Sequence, residues 1–274
     1  MAKRRRTDYS LIADSYDRRY LLNRLPGIAA ALHRLLDRLR PAAVLEVGCG
    51  TGRWLTECAG RAPRVIGVDP FTEMLRRAAD KGETFHLVCG RDTPLPLRDH
   101  SIDLVYCVNA IHHFSSPHGF VIEAARILRP GGTLAVVGMD PRRGAAQWYP
   151  YRFFEGTFAR DLDRFPAWEE MNRWADAAGL VPAPRQEAER SYARFAGAEV
   201  GQDPFLEKEA CSQLTMLTEA EYAAGRRRID TAVRAAEAAG RSLVLETEII
   251  FDLWSAVKPA ESRPVIGGGR TSSG

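Results

Sequence analysis

The chain has 274 residues, of which 45% are hydrophobic and 27% are charged, and its formal net charge is +3. This size and composition predict one globular domain with additions, or two small domains. Outside the run Lys3-Arg4-Arg5-Arg6, interpreted as a solvated tail, basic residues are interleaved with acids, so a nucleic-acid-binding face is not expected. No apolar segment follows the basic run as in a signal peptide, and none is long enough to span a bilayer.

The five cysteines are dispersed and include no C-x-x-C pair. Dispersed cysteines indicate buried thiols in a reducing compartment, and they disfavour a disulfide framework or a zinc site. We therefore expect a cytoplasmic protein without a bound metal or a membrane partner.

Residues 7–40 are predicted to be helical, because apolar residues recur at helical spacing, with an interruption at Pro26-Gly27. Pro41 ends this region. The apolar run Val44-Leu45-Glu46-Val47 then predicts the first strand of a sheet.

Glycines at alternate positions follow this strand, at Gly48, Gly50 and Gly52, before a helix that is predicted to end near Gly60. A strand, a glycine-rich turn and a helix predict a cradle for a nucleotide cofactor, because glycines let backbone amides approach a ligand closely. The dinucleotide fingerprint G-x-G-x-x-G has a third glycine where Arg53 stands, which argues against a nicotinamide cofactor.

Two further strands are predicted over residues 64–70 and 84–89. The first of them ends at Asp69, and a carboxylate there can accept hydrogen bonds from both hydroxyl groups of a ribose. Pro94 and Pro96 stiffen the loop after the second and exclude a helix from it.

A fourth strand is predicted over residues 99–108, and His112 and His113 follow Asn109 at its carboxyl end, where ligands bind in open α/β sheets. Either histidine could take a proton from a substrate or hold a loop by a hydrogen bond, and sequence does not separate the two. No third ligand lies at a spacing that would make them a metal site.

A helix is predicted to begin at Pro117, and the break at residues 129–132 leads into a fifth strand over 133–140. The alternation of strands and helices through residues 41–140 predicts a parallel sheet with both faces covered.

Aromatic residues are dense over residues 148–154, where they could line a substrate pocket or cap the core. Trp148 and Tyr151 are the predicted pocket members. The remaining predicted elements are a helix over 166–179, a strand over 186–195, a long helix over 218–240 and a strand over 243–257. The capping box Thr218-Glu219-Ala220-Glu221 and the C-cap Gly240 delimit the long helix.

Several segments resemble the class I S-adenosylmethionine (SAM)-dependent methyltransferases, of the small-molecule, type-11-like kind. The loop resembles their E-x-G-x-G-x-G motif, and Asp69 to Ala78 resembles D-x-S-x-x-M-L-x-x-A. Matching stretches follow at Gly90 to Leu97, at Ser101 to Val105 and at Leu128 to Gly132, and Tyr9 to Asp17 resembles the Y-D-x-I-A-x-x-Y-D opening of that family.

The resemblance implies a Rossmann-like, mainly parallel seven-stranded α/β sheet with helices on both faces and an antiparallel last strand. It also implies a helical N-terminal cap over residues 1–40 and a SAM-binding domain over 41–258. Lid or substrate insertions are expected at about 141–165 and 200–240, and the Gly- and Ser-rich residues 259–274 are predicted to be a disordered tail.

The resemblance also assigns expected site residues. Those expected to bind the cofactor are Tyr16, Glu46, Gly48, Cys49, Gly50, Gly52, Asp69, Pro70, Met74, Asp92, Thr93 and Asn109. Those expected near the acceptor substrate are Tyr9, His113, Trp148 and Tyr151, with His112 and His113 as candidates for catalysis. Tyr9 and Tyr16 are alternatively core aromatics of a helix.

The implied function is transfer of the SAM methyl group to an oxygen, nitrogen or carbon atom of a small molecule in bacterial (secondary) metabolism, with S-adenosyl-L-homocysteine as product. Alternatives are a non-methyl transfer or cyclisation by a SAM enzyme, a nicotinamide-dependent dehydrogenase and a non-catalytic SAM-binding protein. The acceptor and the oligomeric state, monomer or homodimer, stay open.

Overall fold

The computed structural model describes residue 17 and residues 24–143, 148–209 and 211–260. In chain order the strands are β1 (Ala43–Val47), β2 (Arg64–Asp69), β3 (His86–Cys89), β4 (Ile102–Val108), β5 (Leu128–Gly138), β6 (Val181–Pro182), β7 (Gln186–Ala196) and β8 (Val244–Val257). The α-helices are α1 (Pro26–Leu39), α2 (Thr72–Ala79), α3 (Pro117–Ile127), α4 (Pro150–Phe153), α5 (Thr157–Arg164), α6 (Trp168–Ala177), α7 (Ser212–Thr215) and α8 (Glu219–Ala238).

The described strands form one mixed sheet in the order β3-β2-β1-β4-β5-β8-β6, with β7 also paired to β8. Strands β1 to β5 are parallel, and β8 runs antiparallel to β5, β6 and β7. The order of the strands across the sheet reverses direction between the neighbouring strands β1 and β4. A crevice at the carboxyl ends of the strands is expected at such a point.

Both faces of the sheet are buried, because side chains alternate between two hydrophobic clusters along each strand. In β1, Leu45 faces a cluster that includes apolar residues of α3 and α6, whereas Val44 faces a cluster that includes the apolar side of α1. Helix α1 buries Leu32 and Leu36 there, and each such side chain contributes about 1.5–3 kcal/mol of stability.

Helix α1 is fixed at its first turn by β7. Pro26 stands where a proline is favoured, since its missing N–H would have no helical partner. The N–H of Gly27 donates to Glu189 Oε2 at 2.6 Å, and a Cβ on Gly27 would lie 2.3 Å from the carbonyl oxygen of Ala188. The predicted interruption at Pro26-Gly27 is therefore the start of the helix.

Residues 148–165 and 197–240, which we call the lid, pack around a third hydrophobic cluster. Its members include Phe154 of the first segment and Ile229 of the second. A Cβ on Gly225 would lie 2.1 Å from the ring of Phe154, so α8 crosses the first segment in close contact. The capping box predicted for α8 is confirmed, since the Thr218 N–H donates to Glu221 Oε2 at 2.8 Å and the Glu221 N–H donates to Thr218 Oγ1 at 3.2 Å.

The predicted Rossmann-like class is confirmed, and three details differ. The described sheet has eight strands instead of seven, because the two-residue β6 also pairs with β8. The helix predicted after the glycine loop is a 3₁₀ turn over Leu55–Cys58, since Gly52 at φ +76° and Gly60 at φ +70° leave room for little more. Strand β5 begins at Leu128, because the Gly131 N–H bonds the Lys258 carbonyl oxygen at 2.8 Å and the break continues as extended chain.

None of the helices in the described ranges combines the length and the apolar character that a membrane crossing requires. None of the five cysteines, all of which lie in the described ranges, is part of a disulfide.

Candidate active site

A cavity of about 520 Å³ opens at the carboxyl ends of β1, β2 and β4, where the chain order reverses. One wall comes from the loops after these strands, and the opposite wall comes from the lid. The predicted site residues that line it are Gly48, Cys49, Gly50, Asp69, Pro70, Met74, Asp92, Asn109, His112 and His113.

The glycine loop is tied to β2 at its start, because the N–H groups of Gly48 and Cys49 both donate to the carbonyl oxygen of Val68, at 2.8 and 3.1 Å. Gly48 has φ +73°, and a Cβ there would lie 2.7 Å from the Cβ of Ala110. Gly50 has φ +52°, and a Cβ there would meet no atom within 4 Å. Glycine is thus required at 48 by packing, while at 50 it leaves open space beside the cavity.

Asp69 fastens the middle of this loop to the start of α2. Its Oδ2 accepts the N–H of Gly50 at 2.9 Å, and its Oδ1 accepts the N–H of Phe71 at 3.0 Å. Burial raises the pKa of Asp69, and these two hydrogen bonds oppose that rise. Asp69, which is predicted to bind ribose, therefore also shapes the loop. Each of its carboxylate oxygens keeps a second lone pair for another donor.

Glu46 lies beneath the loop, fully buried, and is not part of the cavity wall. The hydroxyl group of Tyr106 lies 3.2 Å from Glu46 Oε2, and Oε1 is buried without a hydrogen-bond partner in the described part of the chain. Burial raises the pKa of Glu46 well above its ordinary value, and the hydrogen bond from Tyr106 opposes this.

Asp92 is held by the turn that starts α3. Ser115 Oγ lies 2.9 and 2.8 Å from its two oxygens, and the Ser116 N–H donates to Oδ2 at 3.1 Å. Ser116 caps α3 in turn, since its Oγ accepts the N–H of Gly119 at 2.9 Å. Asp92, the residue expected to bind the adenine, thus lines the cavity while both of its oxygens already accept hydrogen bonds from Ser115 and Ser116.

His112 and His113 lie on a 3₁₀ turn, Ile111–His113, that follows β4. Asn109 enters this turn at φ +51°, a left-handed conformation that asparagine tolerates better than most residues. The rings of His112 and His113 lie 4.0 Å apart, and His112 Nε2 lies 3.5 Å from Ser212 Oγ. Both imidazoles therefore line the cavity between the glycine loop and the lid.

Four lid residues also line the cavity and were not singled out from the sequence: Arg160, Asp163, Arg164 and Met216. The first three recur at positions i, i+3 and i+4 on α5, so they share one face of that helix. This spacing is visible in the sequence, but a charged helix face is usually solvated, and only the packing of the lid turns it toward the sheet.

Other predicted site residues lie elsewhere. Trp148 is buried and bridges to Thr247 of β8, and Tyr151 donates its hydroxyl to Asp161 Oδ2 at 2.6 Å, so neither is part of the cavity wall. Gly52 faces α2, where a Cβ would lie 2.9 Å from the Cβ of Ala78. Thr93 also stands outside the lining.

Tyr9 and Tyr16 lie outside the described residues. The described Asp17 contacts the glycine loop, since Thr51 Oγ1 donates to Asp17 Oδ1 and Lys81 Nζ donates to Asp17 Oδ2 at 2.8 Å. Within the described ranges, no group of three or more histidine, cysteine or acidic residues is placed to hold a metal ion.

Comparison with known proteins agrees with this geometry. Residues 45–136, from β1 into β5, match the family model described as a methyltransferase domain. A demethylmenaquinone methyltransferase of Tropheryma whipplei is 33% identical over 147 residues, covering 52% of this chain and 62% of the relative. An uncharacterized methyltransferase of Mycobacterium tuberculosis is 42% identical over 107 residues, covering 37% of this chain and 43% of the relative. The chain thus spans less than two thirds of these relatives.

Among solved structures, a SAM-dependent methyltransferase of Thermotoga maritima superimposes with a TM-score of 0.56 at 22% identity. The match covers 91% of this chain and 98% of the other. At this identity the likeness concerns the fold, and it extends over the lid as well as the sheet.

Proposed function

We propose that this chain is a class I SAM-dependent methyltransferase and that it transfers the SAM methyl group to an oxygen, nitrogen or carbon atom of a small molecule. The observation that carries the proposal is that one cavity has the glycine loop and Asp69 at one end and His112 and the lid at the other.

The residues at the loop end fit SAM. Open space beside Gly50, where a Cβ would meet nothing within 4 Å, leaves room for a ligand against the backbone. Asp69 offers carboxylate lone pairs for ribose hydroxyl groups, and the buried Met74 supplies an apolar surface. Glu46, with its Oε1 buried and without a partner in the described residues, supports the loop from below.

Bound SAM would supply a methyl group activated by its sulfonium. The protein's task is to orient an acceptor atom in line with the bond that breaks and to exclude water from it. His112 and His113 are the cavity imidazoles that can accept the acceptor's proton as the new bond forms. An acceptor that is already deprotonated needs only the orientation and the dry surroundings.

The acceptor is proposed to enter from the lid side, where α5 and His112 face the cofactor residues across the cavity. A cavity of about 520 Å³ that also holds the cofactor favours a metabolite over a macromolecule. The near-balanced charge argues against nucleic acid as the partner. We place the reaction in the cytoplasm, because the five dispersed cysteines form no disulfide.

The test is label transfer. The purified protein is incubated with methyl-labelled SAM and a metabolite extract of its host, and the label is followed by mass spectrometry. We expect a metabolite that gains one methyl group. Consumption of SAM without a methylated product would instead favour a non-methyl reaction or a cyclisation, and absence of SAM binding would overturn the proposal.

A further inference from the structure

Arg164 is a deeply buried charge on the lid wall of the cavity, with its side chain 9% exposed. Its Nη2 donates to Asp161 Oδ1 at 2.5 Å and to Ser212 Oγ at 3.3 Å. Its Nε and Nη1 are buried and have no hydrogen-bond partner in the ranges that the structure describes. Because a guanidinium only donates, whatever satisfies these groups must supply acceptor atoms.

Arg160 lies one helical turn earlier on the same face of α5 and lines the same cavity. Its Nη2 donates to Glu221, whereas its Nη1 is buried without a partner among the described residues. Hydrogen bonds from the Thr218 backbone and from Arg160 lower the pKa of Glu221 to about 2, so Glu221 stays ionised and holds Arg160 in place. Two guanidinium groups from one face of α5 thus line the cavity.

Acidic residues nearby offset the charge of the two guanidinium groups, but they do not accept hydrogen bonds from the N–H groups described above. Asp161, 1% exposed, pairs with Arg164 and also accepts the hydroxyl of Tyr151, so its carboxylate is turned to the lid interior. Asp163 lines the cavity with the two arginines. Because Asp161, Asp163 and Glu221 already lie near the two guanidinium groups, the electrostatics disfavour a polyanion, and a ligand with one anionic group fits better.

We propose that Arg164 and Arg160 bind a carboxylate group of the acceptor, which makes the substrate of this site a small carboxylic acid. This inference rests on the proposed methyltransferase function. Guanidinium groups match a carboxylate in geometry and charge, and burial strengthens the pairing. Because Phe165, the neighbour of Arg164, stacks on His112, the bound carboxylate fixes the acceptor beside that imidazole.

The experiment uses the full chain, methyl-labelled SAM and host metabolite extract, and it sorts labelled products by charge. We expect the products to be retained on an anion exchanger at pH 8 and released at pH 2, where carboxylic acids are neutral and phosphate esters are still charged. Labelled products that mass-spectrometric fragmentation shows to have no carboxyl group, or that stay retained at pH 2, would overturn the inference. Absence of SAM binding would contradict the proposed function instead.

A double variant and a control variant separate loss of acceptor recognition from loss of folding. Arg164→Met combined with Asp161→Asn removes both partners, so that no buried charge is left alone. We expect kcat/KM for the labelled acceptor to fall at least about hundredfold while the Kd for SAM is unchanged. Arg143→Met combined with Asp252→Asn is the matched control, because this pair has an acid that is also 1% exposed and lies away from the cavity. Wild-type labelling by the double variant would refute the inference.

Discussion

The imidazole of His112 stacks on the ring of Phe165, with centroids 4.0 Å apart and planes inclined by 14°. Phe165 is buried and directly follows α5, so this contact joins the carboxyl end of β4 to the lid. Ser212, at the start of α7, approaches the same imidazole from a second lid segment. His112 is therefore oriented by two segments of the lid, whereas His113 lies on the same 3₁₀ turn with its ring 4.0 Å from that of His112.

Separate alanine variants of the two histidines test this difference. With saturating SAM and the acceptor found by label transfer, we expect His112→Ala to lower kcat about hundredfold, which is the scale of a lost general base. We expect His113→Ala to lower kcat less than tenfold, with the Kd for SAM unchanged in both. If neither variant slows turnover, orientation and desolvation carry the reaction without a base.

Asp69→Ala is expected to weaken SAM binding by about 1–3 kcal/mol, because a buried carboxylate acceptor is lost from the ribose site and the Gly50 N–H loses its partner. Asp69→Asn keeps one carbonyl oxygen and should lose less. Isothermal titration calorimetry of both variants makes the comparison, and equal affinity of Asp69→Ala and wild type would remove Asp69 from the cofactor site.

Gly50→Ala and Gly60→Ala form a matched pair. Both glycines have positive φ, +52° and +70°, and a Cβ at either meets no atom within 4 Å, so each alanine should cost about 1–2 kcal/mol of stability. Gly50 lines the cavity and Gly60 does not. We expect only Gly50→Ala to weaken SAM binding, by tenfold or more. Equal Kd values for the two variants, with equal melting temperatures, would contradict the placement of SAM against the loop.

Glu46→Gln tests the buried acid through the pH dependence of stability. Burial raises the folded-state pKa of Glu46 well above 4.5, so above pH 4.5 the unfolded chain has lost a proton that the folded chain still holds. This group therefore lowers the free energy of unfolding by about 1.4 kcal/mol per pH unit as the pH rises toward the folded pKa. Urea unfolding between pH 4.5 and 7 should show a flatter profile for Glu46→Gln, and an unchanged slope would show that Glu46 is ionised in the folded state.

Much of the fold could be predicted because its signals are local. The run around Leu45 is apolar since β1 is buried on both faces, and the acid Asp69 and the glycines mark the ends of strands by residue type alone. The lengths of elements were less accessible, because they depend on partners that are distant in sequence. The Gly131 N–H, for example, is satisfied by the carbonyl of Lys258, 127 residues later, and so the chain there is extended.

The site was predicted unevenly for the same reason. The loop residues lie in recognisable motifs. At Gly48 and Asn109 the positive φ angles restrict which residue types can stand there. Arg164 carries no motif, because its place in the cavity wall depends on the packing of the lid, in which Phe154 and Gly225 lie in close contact. Trp148 and Tyr151 pack within the lid. Aromatic residues that pack in this way look the same in sequence as aromatic residues that line a pocket.

The third hydrophobic cluster gives the lid a core of its own, apart from the two clusters that flank the sheet. Substitutions within it, or on the inner face of α5, change the shape and charge that meet an acceptor without disturbing the loop and Asp69. Selection can therefore act separately on two halves of the site, the lid and the cofactor half formed by the glycine loop and Asp69. A lineage that duplicates such a gene can retain an intact cofactor half and explore new substrates by varying only the residues that fold over it.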